Sequence, residues 1–213
     1  MGPFSELLFD YATLHSSKEP KLLYQLRRET HQKILQPRML SGPLQGRFLS
    51  MLSQLICPKK ILELGTFTGY ATLCLAEGLN PEGILHTIDK NEELVDFQNK
   101  YFEASGKRHQ IVQHLGPALD ILPQLEGPFD LVFIDADKGN TIDYFEQCIE
   151  KVASGGLILT DNVLWSGKVL DTSQKGDLET EILKRFNNMV SRDDRVQTLL
   201  LPLRDGLTIS RKI

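Results

Sequence analysis

Apolar residues follow two rhythms along this chain. Over roughly the first 56 residues they recur at helical spacing. Ser5 stands where it can cap a first helix that carries Leu7, Leu8 and Tyr11 on one face. Glu19-Pro20 opens a second helix, with Leu22, Leu23, Leu26 and Ile34 in phase and Pro37 to end it, and residues 44–56 read as a third. Beyond that point the apolar residues gather into short, nearly continuous runs at 60–64, 83–88, 110–115, 129–134 and 156–160. Amphipathic stretches at 71–78, 92–106, 118–122, 141–151 and 178–191 separate and follow them. Runs that are apolar throughout are buried on both faces, so the pattern predicts parallel strands covered by helices on each side. The end differs: residues 196–203 and 207–212 flank Arg204-Asp205-Gly206, and Asp-Gly is a hairpin signal. The predicted fold is therefore α/β: a Rossmann-like, doubly wound seven-stranded sheet, mostly parallel with a C-terminal antiparallel hairpin. Without repeats or a low-complexity linker, one domain over 1–213 is expected. Residues 1–40 would supply helices over the active site or at a dimer interface, and 58–213 the core.

Composition narrows the class. A hydrophobic content of 41%, a charged content of 24% and a net charge of −4 describe an ordinary globular protein with no basic footprint for nucleic acid. Cys57, Cys74 and Cys148 are scattered and form no C-x-x-C pair, which argues against a disulfide framework or a zinc site. No leader-like segment and no membrane-length apolar run is seen, so a cytoplasmic location is expected.

The chemistry gathers at strand ends. Ile61-Leu62-Glu63-Leu64-Gly65-Thr66-Phe67-Thr68-Gly69-Tyr70 reads as strand, glycine turn and helix. Gly65 and Gly69 allow a ligand close to the backbone. Their G-x-x-x-G spacing is not the G-x-G-x-x-G that cradles a pyrophosphate. That departure suits S-adenosylmethionine, which has no phosphates. Asp89 ends the next strand and can accept from ribose hydroxyls. Glu63 can bind the ligand's ammonium group or the loop backbone.

Two later strands also end in acids: Asp135 in Asp135-Ala136-Asp137-Lys138, and Asp161 before Asn162. Together Asp135, Asp161 and the Asn162 amide make an all-oxygen set for a hard cation, Mg²⁺ first, with Mn²⁺ or Ca²⁺ as alternatives. A catechol's two oxygens can chelate such an ion. A lysine beside a cation gives up its proton more readily, which suits Lys138 to act as base. The plainer alternative is that Asp137 and Lys138 are a solvated turn pair.

At these residues the sequence resembles the cation-dependent O-methyltransferases, the family of catechol O-methyltransferase and caffeoyl-CoA O-methyltransferase. The resemblance runs from about Tyr11 to the C-terminus. It rests on six ordered motifs: residues 63–70, Ile88-Asp89, Gly116-Pro117-Ala118, Ile134-Asp135-Ala136-Asp137-Lys138, Asp161-Asn162-Val163-Leu164-Trp165 and Asp205-Gly206-Leu207-Thr208-Ile209. It implies cation ligation by Asp135, Asp161 and Asn162, and Lys138 as general base. Glu63, Gly65, Thr66, Asp89, Ala118 and Asp137 would contact S-adenosylmethionine, with Asp135 and the position of Ala71 beside them. Met39, Leu40 and Ser41 would form a loop reaching cofactor and substrate. Trp165 and Ser166 would border the acceptor, Trp165 as a stacking wall or as core packing. Ala71 departs from the serine of many relatives. The loop from Ser41 to Gln45 lacks the acidic pair of the plant enzymes. The resemblance further implies a homodimer and a small catechol-like or caffeoyl-type phenol as acceptor. The alternative acceptor is a wobble hydroxyuridine in tRNA, against which the acidic charge argues. A nicotinamide oxidoreductase is disfavoured by the glycine spacing.

Overall fold

The computed structural model describes residues 3–171 and 177–213. Three helices come first: α1 (Pro3–Leu14), α2 (Lys21–Lys33) and α3 (Gly42–Ile56). Strands and helices then alternate as β1 (Lys60–Leu64), α4 (Tyr70–Ala76), β2 (Ile84–Asp89), α5 (Val95–Ala104), β3 (Ile111–Leu115), α6 (Ala118–Ile121), β4 (Phe129–Ile134), α7 (Thr141–Lys151) and β5 (Val152–Asp161). The chain closes with α8 (Leu178–Val190), β6 (Val196–Leu201) and β7 (Leu207–Lys212). The seven strands form one sheet in the order β3-β2-β1-β4-β5-β7-β6, with β7 antiparallel to both of its neighbours. This is the predicted Rossmann-like sheet with its antiparallel closing hairpin.

Alternation along each central strand feeds two cores. Ile61, Leu131 and Phe133 point to the face covered by α2, α3, α4 and α5, where Leu26, Leu49, Tyr70 and Phe102 pack. Leu62, Val132 and Ile134 point to the other face, against Phe145 and Phe186, whose rings meet edge to face at 5.7 Å. Each such fully buried Leu or Phe stabilises the fold by about 1.5–3 kcal/mol.

Register sets the functional edge. Leu64 lies beside Ile88 and Ile134, and Ile134 beside Thr160. The next residues, Gly65, Asp89, Asp135 and Asp161, therefore leave the sheet at one level. Gly65 N donates to Ile88 O at 2.9 Å, and Asp135 N to Leu64 O at 2.8 Å, which ties these exits together. The chain runs outward from β1 through β2 to β3, then returns to β4 on the other side of β1. The edge above β1 and β4 is thus the topological switch point where ligands of such sheets bind.

Four local readings differ from the pattern. α1 starts at Pro3, so Ser5 lies inside the helix rather than capping it. β5 begins at Val152, which pairs with Phe129; Ala153-Ser154-Gly155-Gly156 fall in a register shift before Leu157 pairs with Leu131, and Gly155 takes φ +79° there. That polar stretch hides a bulged strand from an apolar-run criterion. Residues 92–94 form a 3-10 turn before α5, capped by the Asn91 side chain accepting from Glu93 N at 3.0 Å. Residues 165–170 form a kinked 3-10 segment that no periodicity signalled, with Ser166 and Gly167 at positive φ.

Among the described residues no helix is long and apolar enough to cross a membrane. α2 is fastened over the first core face: Thr30 Oγ1 donates to Thr68 Oγ1 at 3.2 Å, and Glu29 accepts from Lys33, Lys100 and Tyr101. α1 contributes Phe9 and Asp10 to a cavity at the functional edge. Its Leu7, Leu8, Tyr11 and Leu14 remain exposed.

Candidate active site

The functional edge opens into a cleft of about 1430 Å³. Ten of the residues singled out above line it: Met39, Gly65, Asp89, Ala118, Asp135, Asp137, Lys138, Asn162, Trp165 and Ser166. Strand ends deliver Asp89 and Asp135. The turn after β4 delivers Asp137 and Lys138, and the kinked segment after β5 delivers Trp165 and Ser166. Gly65 has φ +100°, and a Cβ there would stand 2.2 Å from the Asp135 carbonyl oxygen. The glycine is what lets two adjacent strand ends approach so closely.

Asp89 is held by backbone. Its Oδ2 accepts from Phe67 N at 2.7 Å and its Oδ1 from Asn91 N at 2.9 Å. Asp137 is held by two side chains absent from the sequence reading, Asn140 Nδ2 at 2.7 Å and Tyr144 Oη at 2.6 Å. Burial, and after it the bond to Asp137, raises the Tyr144 pKa. Asp137 is exposed, but Lys138 is only 8% exposed and pairs with Asp135 rather than with Asp137, its Nζ lying 3.0 Å from Asp135 Oδ1, so the two do not form a solvated turn pair.

Asp135 and Asp161 form the electrostatic centre. Burial pushes the Asp135 carboxyl up to about 6, Lys138 opposes the rise, and the charge of Asp161 adds to it. Asp161 is buried and Asp135 partly exposed at the cavity, and carboxylates this close repel each other unless a cation accompanies them. Asp161 is 1% exposed and stands behind the cavity wall, with Oδ2 accepting from Gln45 Nε2 at 2.7 Å and Oδ1 from Asn162 N at 2.8 Å. Asn162 itself has φ +63°, a left-handed conformation that asparagine tolerates well.

Six expected site residues lie off the wall. Leu40 and Ser41 are buried beneath the turn that exposes Met39, and Ala71 is buried in the first turn of α4. Thr66 turns inward and bonds through its hydroxyl to Thr87. Asp161 is the fifth. The sixth, Glu63, is fully buried, and one of its oxygens accepts from the hydroxyls of Thr72 and Thr87. It bonds neither to the loop backbone nor across the cavity wall, and its Oε1 has no partner.

Burial raises the Glu63 pKa to about 8. A carboxyl whose folded pKa exceeds its unfolded value favours the folded state fully below the unfolded pKa, and that contribution is lost as pH rises through the folded pKa. Between pH 5 and 8 the ligand-free protein should lose on the order of 1 kcal/mol per pH unit from this group. Glu63→Gln keeps an acceptor for both threonines and removes the titration. Its melting temperature should fall less than the parent's from pH 5 to 8. Parallel curves would show that Glu63 is ionised in the folded state throughout.

Gln45, Arg204 and Asp205 were missed as functional residues. Arg204 and Asp205 line the cavity, and Asp205 Oδ1 accepts from Ser166 N, while Leu164 N donates to Asp205 O at 2.8 Å. The hairpin turn thus straps the segment that follows Asp161. Burial raises the Asp205 pKa, and Asp161 adds to the rise. Trp165 lines the cleft, and its indole Nε1 is buried without a hydrogen-bond partner.

The model of the O-methyltransferase family matches residues 13–213. The chain belongs to the O-methyltransferase family. Among its relatives, caffeoyl-CoA O-methyltransferase 1 of Zea mays is 35% identical over 207 residues, covering 92% of this chain and 80% of that protein. The O-methyltransferase TomG of Streptomyces achromogenes, involved in tomaymycin synthesis and solved with S-adenosylmethionine, superposes with a TM-score of 0.87 at 29% identity, covering 100% of this chain and 99% of that one. The methyltransferase PaMTH1 of Podospora anserina, solved with S-adenosylhomocysteine, gives a TM-score of 0.89 at 26% identity, covering 99% and 95%. Membership in this O-methyltransferase family removes the oxidoreductase reading.

Proposed function

We propose that this O-methyltransferase binds S-adenosylmethionine beside Gly65 and Asp89 and methylates a hydroxyl of a small catechol-like or caffeoyl-type phenol, with a divalent cation held by Asp135, Asp161 and Asn162. One observation carries the reading: Asp135 and Asn162 line the cavity beside the glycine turn, the buried Asp161 carboxylate stands just behind them and its charge is felt by Asp135, and a buried lysine lies 3.0 Å from Asp135. An all-oxygen set with excess negative charge fits Mg²⁺ or Mn²⁺; burial is the main cause that raises the Asp135 pKa, and a cation would relieve the repulsion from Asp161 that adds to it.

The donor supplies a methyl group on a sulfonium. The cation, when bound, supplies Lewis-acid stabilisation of the developing phenolate. The chain's own residues do the rest. Asp89 orients the ribose hydroxyls, and the glycine turn admits the donor against backbone. Trp165, Met39 and Phe9 wall the acceptor end and exclude water. Lys138 Nζ, as the free amine, takes the proton of the acceptor hydroxyl. The oxygen then forms its bond to the methyl carbon as the carbon–sulfur pair returns to sulfur. Holding oxygen and methyl in line supplies the proximity contribution to rate.

A small acceptor is favoured over tRNA. Asp10, Glu179 and Asp205 line the cavity as well as Arg38, Lys168 and Arg204, so its charged residues are of mixed sign rather than the basic surface a polyanion needs. A homodimer that covers the exposed Leu7, Leu8, Tyr11 and Leu14 of α1 belongs to the same proposal. The direct test uses labelled donor and a catechol acceptor. Chelation by EDTA should lower the rate by about a hundredfold or more, and added Mg²⁺ should restore it. Full activity in EDTA would overturn the cation's part in the reaction.

A further inference from the structure

We infer that Gln45 is a positioning residue of the cation site, which fixes the Asp161 carboxylate and keeps the Arg204 guanidinium from pairing with it. The inference rests on the proposed reading of Asp135, Asp161 and Asn162 as cation ligands. Gln45 lies in the first turn of α3, fully buried, 116 residues before Asp161. Both ends of its amide are engaged. Nε2 donates to Asp161 Oδ2 at 2.7 Å, and Oε1 accepts from Arg204 Nη1 at 3.1 Å. A neutral amide can donate to a carboxylate and accept from a guanidinium at once, so it stands between opposite charges without neutralising either.

The consequence for Asp161 is geometric. Each of its oxygens has one fixed donor, Gln45 Nε2 on Oδ2 and Asn162 N on Oδ1, and the remaining lone pairs stay free. This is how neighbouring hydrogen bonds orient a carboxylate ligand toward a metal. The consequence for Arg204 is electrostatic. Arg204 sits at φ +51° in the hairpin turn, lines the cavity, and its charge is felt by Asp135 and Asp205. Its hydrogen-bond partner is the neutral Gln45 oxygen rather than a carboxylate. A guanidinium beside a buried carboxylate pairs with it strongly, often through two bonds. With the amide spacer gone, Arg204 would take the Asp161 lone pairs that a cation needs.

The test measures Mn²⁺ affinity by electron paramagnetic resonance and S-adenosylhomocysteine affinity by calorimetry, on the full chain and on Gln45→Met, Arg204→Met and the double variant. Gln45→Met should bind Mn²⁺ about 10–100-fold more weakly. Its S-adenosylhomocysteine affinity should stay within about twofold of the parent's. Arg204→Met should bind Mn²⁺ at least as tightly as the parent, and the double variant should regain most of what Gln45→Met loses. Mn²⁺ affinity unchanged in Gln45→Met, a double variant as weak as the single one, or loss of both ligands together in Gln45→Met would overturn the inference. A parent that binds Mn²⁺ while Gln45→Met binds it equally well overturns this role alone. A parent that does not bind Mn²⁺ overturns the cation reading as well.

Discussion

Asp161→Ala should lower kcat/KM for a catechol acceptor by about 10³-fold or more, because stabilising the developing phenolate through a metal contributes several kcal/mol and each 1.4 kcal/mol is tenfold in rate. Donor affinity should be nearly untouched. Asp161 stands behind the cavity wall, and the glycine turn and Asp89 belong to other strands. The fold should also survive. The residue ends β5, whose register beside β7 is carried by backbone pairs from Leu157 with Arg211 to Asp161 with Leu207. The substitution strands Gln45 Nε2, a cost of about 1–3 kcal/mol for a buried donor. It also removes the charge that helps to push Asp135 up, which offsets part of that cost. Mn²⁺ titration and S-adenosylhomocysteine calorimetry on the same variant decide the matter. Intact Mn²⁺ affinity with lost S-adenosylhomocysteine affinity would show that Asp161 serves the donor instead.

Strand ends are the part of this site that a sequence shows best. Each central strand reaches the sheet edge at a glycine or an acid: Gly65 follows β1 and Asp135 follows β4, while Asp89 and Asp161 end β2 and β5. The parallel register of β1, β2, β4 and β5 then brings Gly65, Asp89, Asp135 and Asp161 to one level, whatever lies between them in the chain. What the sequence hides is direction and distance. Ala71 is buried in the first turn of α4, and Thr66 lies between the cavity residues Gly65 and Phe67 yet faces the core, because the turn sends neighbouring side chains to opposite sides. Leu40 and Ser41 do the same beneath Met39. Glu63 is an acid within an otherwise apolar strand, and only its full burial reveals a carboxyl pushed up to about 8, against the opposing pull of the Thr72 and Thr87 hydroxyls that donate to it.

Partners far apart in sequence are harder still. Gln45 meets Asp161 because α3 crosses the sheet edge, and nothing in the local pattern of either segment signals it. Asp205 and Gly206 do carry a signal, but one with an evident structural explanation: Asp-Gly marks a hairpin turn. The turn is indeed there, and it also grips the segment after Asp161 through Asp205 and the Gly206 carbonyl, which accepts from Val163 N at 3.2 Å. A turn motif therefore served two purposes, and the more familiar one concealed the other. Tyr144 and Asn140, which hold Asp137, lie three to seven residues beyond it, at spacings that an amphipathic helix start explains without any site.

Lys138→Met should reduce kcat for an unactivated catechol by about 10²–10⁴-fold, the range that a positioned general base supplies. Methionine keeps the buried stem and removes Nζ, so packing changes little. The ion pair with Asp135 complicates the reading, since a lost rate could reflect a disturbed carboxylate rather than a lost base. Two comparisons separate these causes. Lys138→Arg keeps a positive charge near Asp135 but cannot act as base near neutral pH, so it should be nearly as slow as Lys138→Met. A nitrocatechol, whose hydroxyl is already largely ionised at neutral pH, needs no base and should be methylated by both variants at close to the parent's rate. With the unactivated catechol the variants' rate should instead climb with pH as the acceptor ionises by itself. Equal losses for both acceptors would show that Lys138 acts by holding Asp135 in place, and the proton would then have to leave by another route.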